Sequence, residues 1–169
     1  MNLWKFISLK GGFLLSIVLI LGGCFVKEAP RALVQEIPYH ILLITPEVRF
    51  ADMGFVKQYE NKVNLELYAL GKALYKIEIE KSQICVQDSC YNKSLFIQKL
   101  FGDDVQDTIL EEILIGKDIF NGKNKYMKNG ITIQEFKDYG NVVLYIRDEN
   151  KISFSDKKRK IRIVLESKM

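Results

Sequence analysis

The sequence predicts an α+β fold, mainly antiparallel sheet with two short helices, preceded by an N-terminal signal helix. Three observations predict it. Residues 63–80 alternate apolar and polar with period two, the pattern of strands with one face on a core and the other in water. Residues 94–115 switch to apolar spacings of three and four, which gather on one face of a helix. Residues 131–166 return to strand-like sequence in four short runs separated by turn residues.

The opening segment sets the compartment. Lys5 and Lys10 make a positive start, and residues 1–23 contain no Asp or Glu. The apolar run from Phe13 to Leu21 is nine residues, in the range of a secretory signal and well short of the roughly 20 residues of a membrane span. Leu21-Gly22-Gly23-Cys24 follows and resembles a bacterial lipoprotein lipobox. In that reading the Cys24 thiol takes a diacylglyceryl group, and its amine is acylated after cleavage. Two or three acyl chains anchor lastingly where one is marginal, at about 0.8 kcal/mol per buried methylene. Phe25, in place of an Asp that would retain the protein in the inner membrane of enteric bacteria, points to the periplasmic face of the outer membrane. No cofactor is expected beyond this covalent lipid.

The expected layout is a signal peptide at 1–23, a tether at 24–38 carrying Pro30 and Pro38, and one domain at 39–169. The signal takes two of the 25 Lys+Arg, leaving 23 against 21 Asp+Glu. Such balance implies no nucleic-acid partner. With Cys24 assigned to lipid, Cys85 and Cys90 remain in ICVQDSCY. In an oxidising compartment a close pair reads as a disulfide across a hairpin loop of Val86–Ser89; the alternative is two unpaired thiols. A metal site is not expected, because two thiols without a nearby His lack the four ligands of structural zinc.

Along the domain, His40–Thr45 reads as a buried strand and Val48–Phe55 as a weaker one. In VNLELYAL, Val63, Leu65, Leu67 and Ala69 share a face; after the bend at Gly71, so do Ala73, Tyr75, Ile77 and Ile79. Tyr68, Leu70 and Leu74 fall on the opposite face, as if lining a second apolar surface. Ile84–Val86 is the next strand. In SLFIQKLFG, Phe96, Ile97, Leu100 and Phe101 share a helical face between Ser94 as N-cap and Gly102 as stop. A second helix is expected from Asp103-Asp104 to Ile115, its early acids suiting the positive end of the dipole. Residues 117–130 read as a loop, and strands follow at 131–136, 141–147, 151–154 and 159–166.

No catalytic constellation emerges, and the chain reads as a non-enzyme. His40 is the sole histidine and has no Ser or Cys motif beside it. Glu111 and Glu112 are adjacent and so diverge around a helix. The run Lys157-Lys158-Arg159-Lys160 lies between two strands. It reads either as a solvated hairpin or as a contact for lipid phosphates.

The order of a lipobox, antiparallel strands, two helices and closing hairpins carries a resemblance. LYALGKALYKIEI, EEILIGKDIF, KNGITIQEF and KISFSDKKRKIRIVLE resemble segments of the outer-membrane lipoprotein receptor family LolB and its LolA-type relatives, over residues 62–166. The resemblance implies an antiparallel half-barrel with the helices as a lid over an apolar cavity for acyl chains of lipoprotein cargo, handed on from a periplasmic carrier. Candidate lining residues are then Leu65, Leu67, Ile77, Ile79, Ile113, Leu114, Ile133, Ile161 and Ile163; the alternative is that they fill a solid core. LolB also displays a loop with an exposed leucine that helps insert cargo. The corresponding turn here, Glu80-Lys81-Ser82-Gln83, is short and polar, the family's tryptophans are absent, and Cys85 and Cys90 are additional. The rival reading is an accessory subunit of an envelope assembly with a filled core, an exposed apolar patch and no ligand. A redox role for Cys85 and Cys90 would need a perturbed thiol in an electropositive setting. Oligomeric state is not legible in the sequence.

Overall fold

Leu33–Ile44 forms β1, the strand on which the sheet is organised, because it has a neighbour on each side. The computed structural model describes residues 32–138 and 141–167; the signal segment 1–23, the lipobox with Cys24 and the first part of the tether lie outside them. β1 pairs through its whole length with β2 (Arg49–Tyr59), but with the last strand, β11 (Ile161–Glu166), only from His40 onward. The six residues 33–38, expected as tether, therefore belong to the sheet. Pro38 fits there because β1 at that level has only β2 beside it, so the missing N–H breaks no second ladder.

From β2 the chain meanders outward through β3 (Val63–Ala69), β4 (Lys72–Ile79), β5 (Gln83–Val86) and β6 (Ser89–Asn92). It crosses as α1 (Lys93–Phe101) and α2 (Ile109–Leu114) to β7 (Lys125–Lys128), then returns through β8 (Ile131–Asp138), β9 (Asn141–Arg147) and β10 (Lys151–Asp156) to β11. The described residues thus make one open antiparallel sheet in the order β6-β5-β4-β3-β2-β1-β11-β10-β9-β8-β7, with two short helices. α2 touches both β3 and β10. Those strands are four steps apart, about 19 Å in a flat sheet, beyond the reach of one helix about 10–12 Å across. The sheet curls round the helices.

The inner face follows from strand parity. Tyr39, Ile41 and Leu43 on β1 line up with Leu165 and Ile163 on β11, and all are buried. Every member of the buried apolar cluster comes from residues 39–165, so the segment from Arg31 carries its own core. Its far half is solid: Phe101 of α1 packs edge-to-face on Phe154 of β10, ring centroids 5.7 Å apart, and Tyr145 is 1% exposed beside it. Burial raises the Tyr145 hydroxyl far above its ordinary pKa.

Several elements differ from the sequence expectation. α1 is capped by Asn92, whose side chain accepts the Leu95 N–H at 3.1 Å, two residues before the expected cap Ser94. α2 starts at Ile109, not at Asp103-Asp104. Asp103 instead accepts a bond from the Gln98 side chain at 2.6 Å, and Gly102 (φ 95°) turns the chain where the Arg159 guanidinium occupies the space of a Cβ. The expected loop 117–130 contains β7, closed onto β8 by Asn129-Gly130, both at positive φ. Buried Gln134 of β8 pins the preceding crossover. It accepts the Ile119 N–H at 3.0 Å and donates to the carbonyls of Ile119 and Lys123 at 2.8 and 2.9 Å.

Cys85 and Cys90 face each other across the β5–β6 ladder and are joined by a disulfide. The turn between the strands is only Gln87-Asp88, with Gln87 at φ 54°. Closing so short a loop contributes about 2 kcal/mol by restricting the unfolded chain. A Cys85→Ser, Cys90→Ser protein is expected to unfold at lower urea, and reductant should shift the parent to the same midpoint. A parent indifferent to reductant would contradict this.

Candidate functional site

Between the inner sheet face and α1 lies an apolar cavity of about 540 Å3, within the size range of small-ligand pockets. The sheet supplies Ile41 and Leu43 from β1, Leu65 and Leu67 from β3, and Ile161 and Ile163 from β11. The helices supply Leu95, Phe96, Leu100, Leu110 and Leu114. Amphipathic α1 divides its face: Ile97 and Phe101, both 1% exposed, enter the solid core, while half-buried Phe96 and Leu100 line the cavity. The β1–β2 turn, Thr45–Val48, makes part of the rim. Thr45 Oγ1 accepts the N–H groups of Glu47 and Val48 at 3.2 and 3.0 Å, and exposed Glu47 and Lys99 meet across the rim at 3.5 Å.

Of the nine expected lining residues, the structure brings six together: Leu65, Leu67, Ile77, Leu114, Ile161 and Ile163. Ile79 and Ile113 are fully buried but off the cavity wall. Ile79 faces a smaller hollow of about 180 Å3, shared with Glu111 and Ile115. Ile133 is a correction: its neighbour Gln134 points into the core, so strand alternation turns Ile133 to the outer face. The sequence reading missed Ile41 and Leu43 as cavity residues, though it had found their strand, and it missed Tyr75 and Val86 at the β4–β5 side.

Two charged groups hold the helices and crossover in place. Lys93, the first residue of α1, is 2% exposed and pairs with Glu111 of α2. Asp118, beyond α2, pairs with Arg147 of β9 and with Lys125 at 2.6 Å. The bond from Lys125, then that from Arg147, hold its carboxyl below the usual carboxylate range. These are tethers around an apolar space, and neither pair lines the cavity.

The second apolar surface expected from Tyr68, Leu70 and Leu74 does not form. A register shift between Leu67 and Tyr68 sets Ala73 opposite Tyr68; the Tyr68 ring packs edge-to-face on Phe55 at 5.4 Å, and its hydroxyl donates to Glu66 at 3.1 Å. Leu70 sits at the tip of the β3–β4 hairpin and is 99% exposed. Leu70 and Gly71 make a two-residue turn with φ of 51° and 75°. His40 is half-buried on β1 opposite Glu166. Lys157, Lys158 and Lys160 are exposed at the β10–β11 turn, while Arg159 pairs with Asp156 at 2.9 Å. Among the described residues no helix is long and apolar enough to cross a membrane, and no group of three His, Cys, Asp or Glu side chains is set to hold a metal. No protein-family model matches the chain, and no curated protein matches it in sequence.

Proposed function

We propose that this chain is a non-enzymatic lipoprotein of the outer membrane, held through acyl chains on Cys24, whose body works as a LolA/LolB-like half-barrel. Its helices serve as a lid, and the cavity takes acyl chains of lipoprotein cargo. The observation that carries this reading is the 540 Å3 apolar space between sheet and α1. A filled core would favour the rival accessory subunit; a cavity walled by leucine, isoleucine and phenylalanine suits a hydrocarbon. Each methylene moved from water into it contributes about 0.8 kcal/mol, so transfer can follow affinity alone.

Leu70 adds support. A branched side chain at positive φ costs about 1–2 kcal/mol relative to glycine or asparagine, and full exposure of the same side chain gains nothing for folding. A residue unfavourable on both counts is explained by an external role. Leu70, at the β3–β4 hairpin and not at Glu80–Gln83, would serve as the exposed leucine that the LolB resemblance implies.

The test is native mass spectrometry of the 31–169 body purified from bacteria. Co-purified lipid released on denaturation is the expected result. A lipid-free body in stable complex with another protein would overturn the carrier reading in favour of the subunit.

A further inference from the structure

Antiparallel register sorts the turns of the sheet between its two ends. The β1–β2, β3–β4, β5–β6 and β10–β11 turns share one end; the β2–β3, β4–β5, β7–β8 and β9–β10 turns share the other. Ile44 opposite Arg162 sets the first of these turns beside the last. Charge is divided between the ends. Turns at the first end carry Lys157, Lys158 and Lys160, with Arg159 held by Asp156, against Glu47 and Asp88. Turns at the second carry Glu60, Glu80, Asp148 and Glu149 against Lys62 and Lys81. The nearly neutral body is thus electrically polar along its strands, and its basic end is the cavity end: Ile161, directly after Lys160, and Thr45–Val48 both wall the cavity.

We propose that this basic end is a docking face for a bilayer surface rich in anionic phosphate headgroups. The chemistry of the patch favours such a surface over an acidic protein. Lys157, Lys158 and Lys160 are exposed point charges on flexible stems. Specific protein interfaces need a packed apolar centre with a polar rim, and the one large apolar side chain on these turns, Leu70, stands alone at 99% exposure. Exposed cations gathered on one turn, with an isolated apolar tip at the same end of the sheet, match a diffuse anionic layer. The acidic far end would be repelled by that layer, so the charge division also orients the body, cavity end toward the lipid. The inference does not require the cavity to hold acyl chains, nor the Cys24 anchor.

The test is co-sedimentation of the 31–169 body with vesicles of phosphatidylcholine, with and without phosphatidylglycerol. Binding is expected only with phosphatidylglycerol, weakening as salt is raised. Lys157→Gln, Lys158→Gln, Lys160→Gln should weaken it at least about 10-fold, because each cation near an anionic surface adds to the binding, with an unchanged urea midpoint. A Leu67→Trp body, altered in the cavity, should still bind, which separates surface docking from lipid uptake. Equal binding to both vesicles, no binding to either, an unaffected triple variant, or saturable binding of inorganic phosphate without vesicle preference would each overturn the proposal, as would preference for an acidic protein over anionic vesicles.

Discussion

Lys93→Met is expected to destabilise the body by about 3 kcal/mol, the cost of leaving one member of a buried ion pair without its partner. Lys93 is 2% exposed at the first position of α1, where the positive end of the helix dipole disfavours a cation. α1 has no acidic residue in its own first turn, so the ammonium depends on Glu111 of α2. Glu111 Oε2 is already buried without a partner, and without Lys93 the whole carboxylate would be uncompensated. Yet the pair need not be stabilising as a pair. Lys93→Met with Glu111→Leu removes both charges together, and much of the lost stability should return. The measurement is a double-mutant cycle of urea midpoints. Additive losses would show that the two side chains act independently and that the helices are tied by other contacts.

What the sequence disclosed was governed by burial on one face. β9, a continuous apolar run, was found from the turn residues that bound it on both sides; β3 and β11 were found near their true bounds because a strand with one face on a core must alternate. β6 and β7 were missed for the same reason: all their residues are exposed, so as edge strands they carry no periodicity, and only Asn129-Gly130 signalled the second hairpin. The start of β1 was hidden by exposed residues and by Pro38, which the sheet tolerates at a level where β1 has a single neighbour. α2 was drawn too long because acids at 103–104 satisfy the same preference at a helix start as in a turn. Six of the nine residues that the resemblance offered as lining do wall the cavity. Ile133 failed because one isoleucine on an otherwise mixed strand does not say which face is inner; buried Gln134, held by three hydrogen bonds, decides it. No pattern in a sequence tells whether an apolar face meets another face or a void.

That last distinction is open to a direct experiment. Leu67→Trp is expected to leave the body folded and to lower its affinity for a fluorescent fatty acid at least about 10-fold, some 1.4 kcal/mol. Leu67 is 1% exposed, on β3 opposite Tyr75 and Gly54, and its side chain walls the cavity. Its neighbourhood has no slack on the strand side: a Cβ on Gly54 would lie 2.6 Å from the Glu66 carbonyl. An indole must therefore extend into the cavity, in the volume an acyl chain would use. If that volume is open, the larger ring adds apolar contact and the urea midpoint holds. If the region were a filled core, overpacking would cost about 1–3 kcal/mol, and the variant would unfold early. The introduced indole reports on its own surroundings, since Trp4 is the chain's single tryptophan and lies outside the 31–169 body. Its emission should be blue-shifted and indifferent to added fatty acid. A variant that binds fatty acid as tightly as the parent would place the ligand elsewhere and remove the cavity from the proposed carrier mechanism.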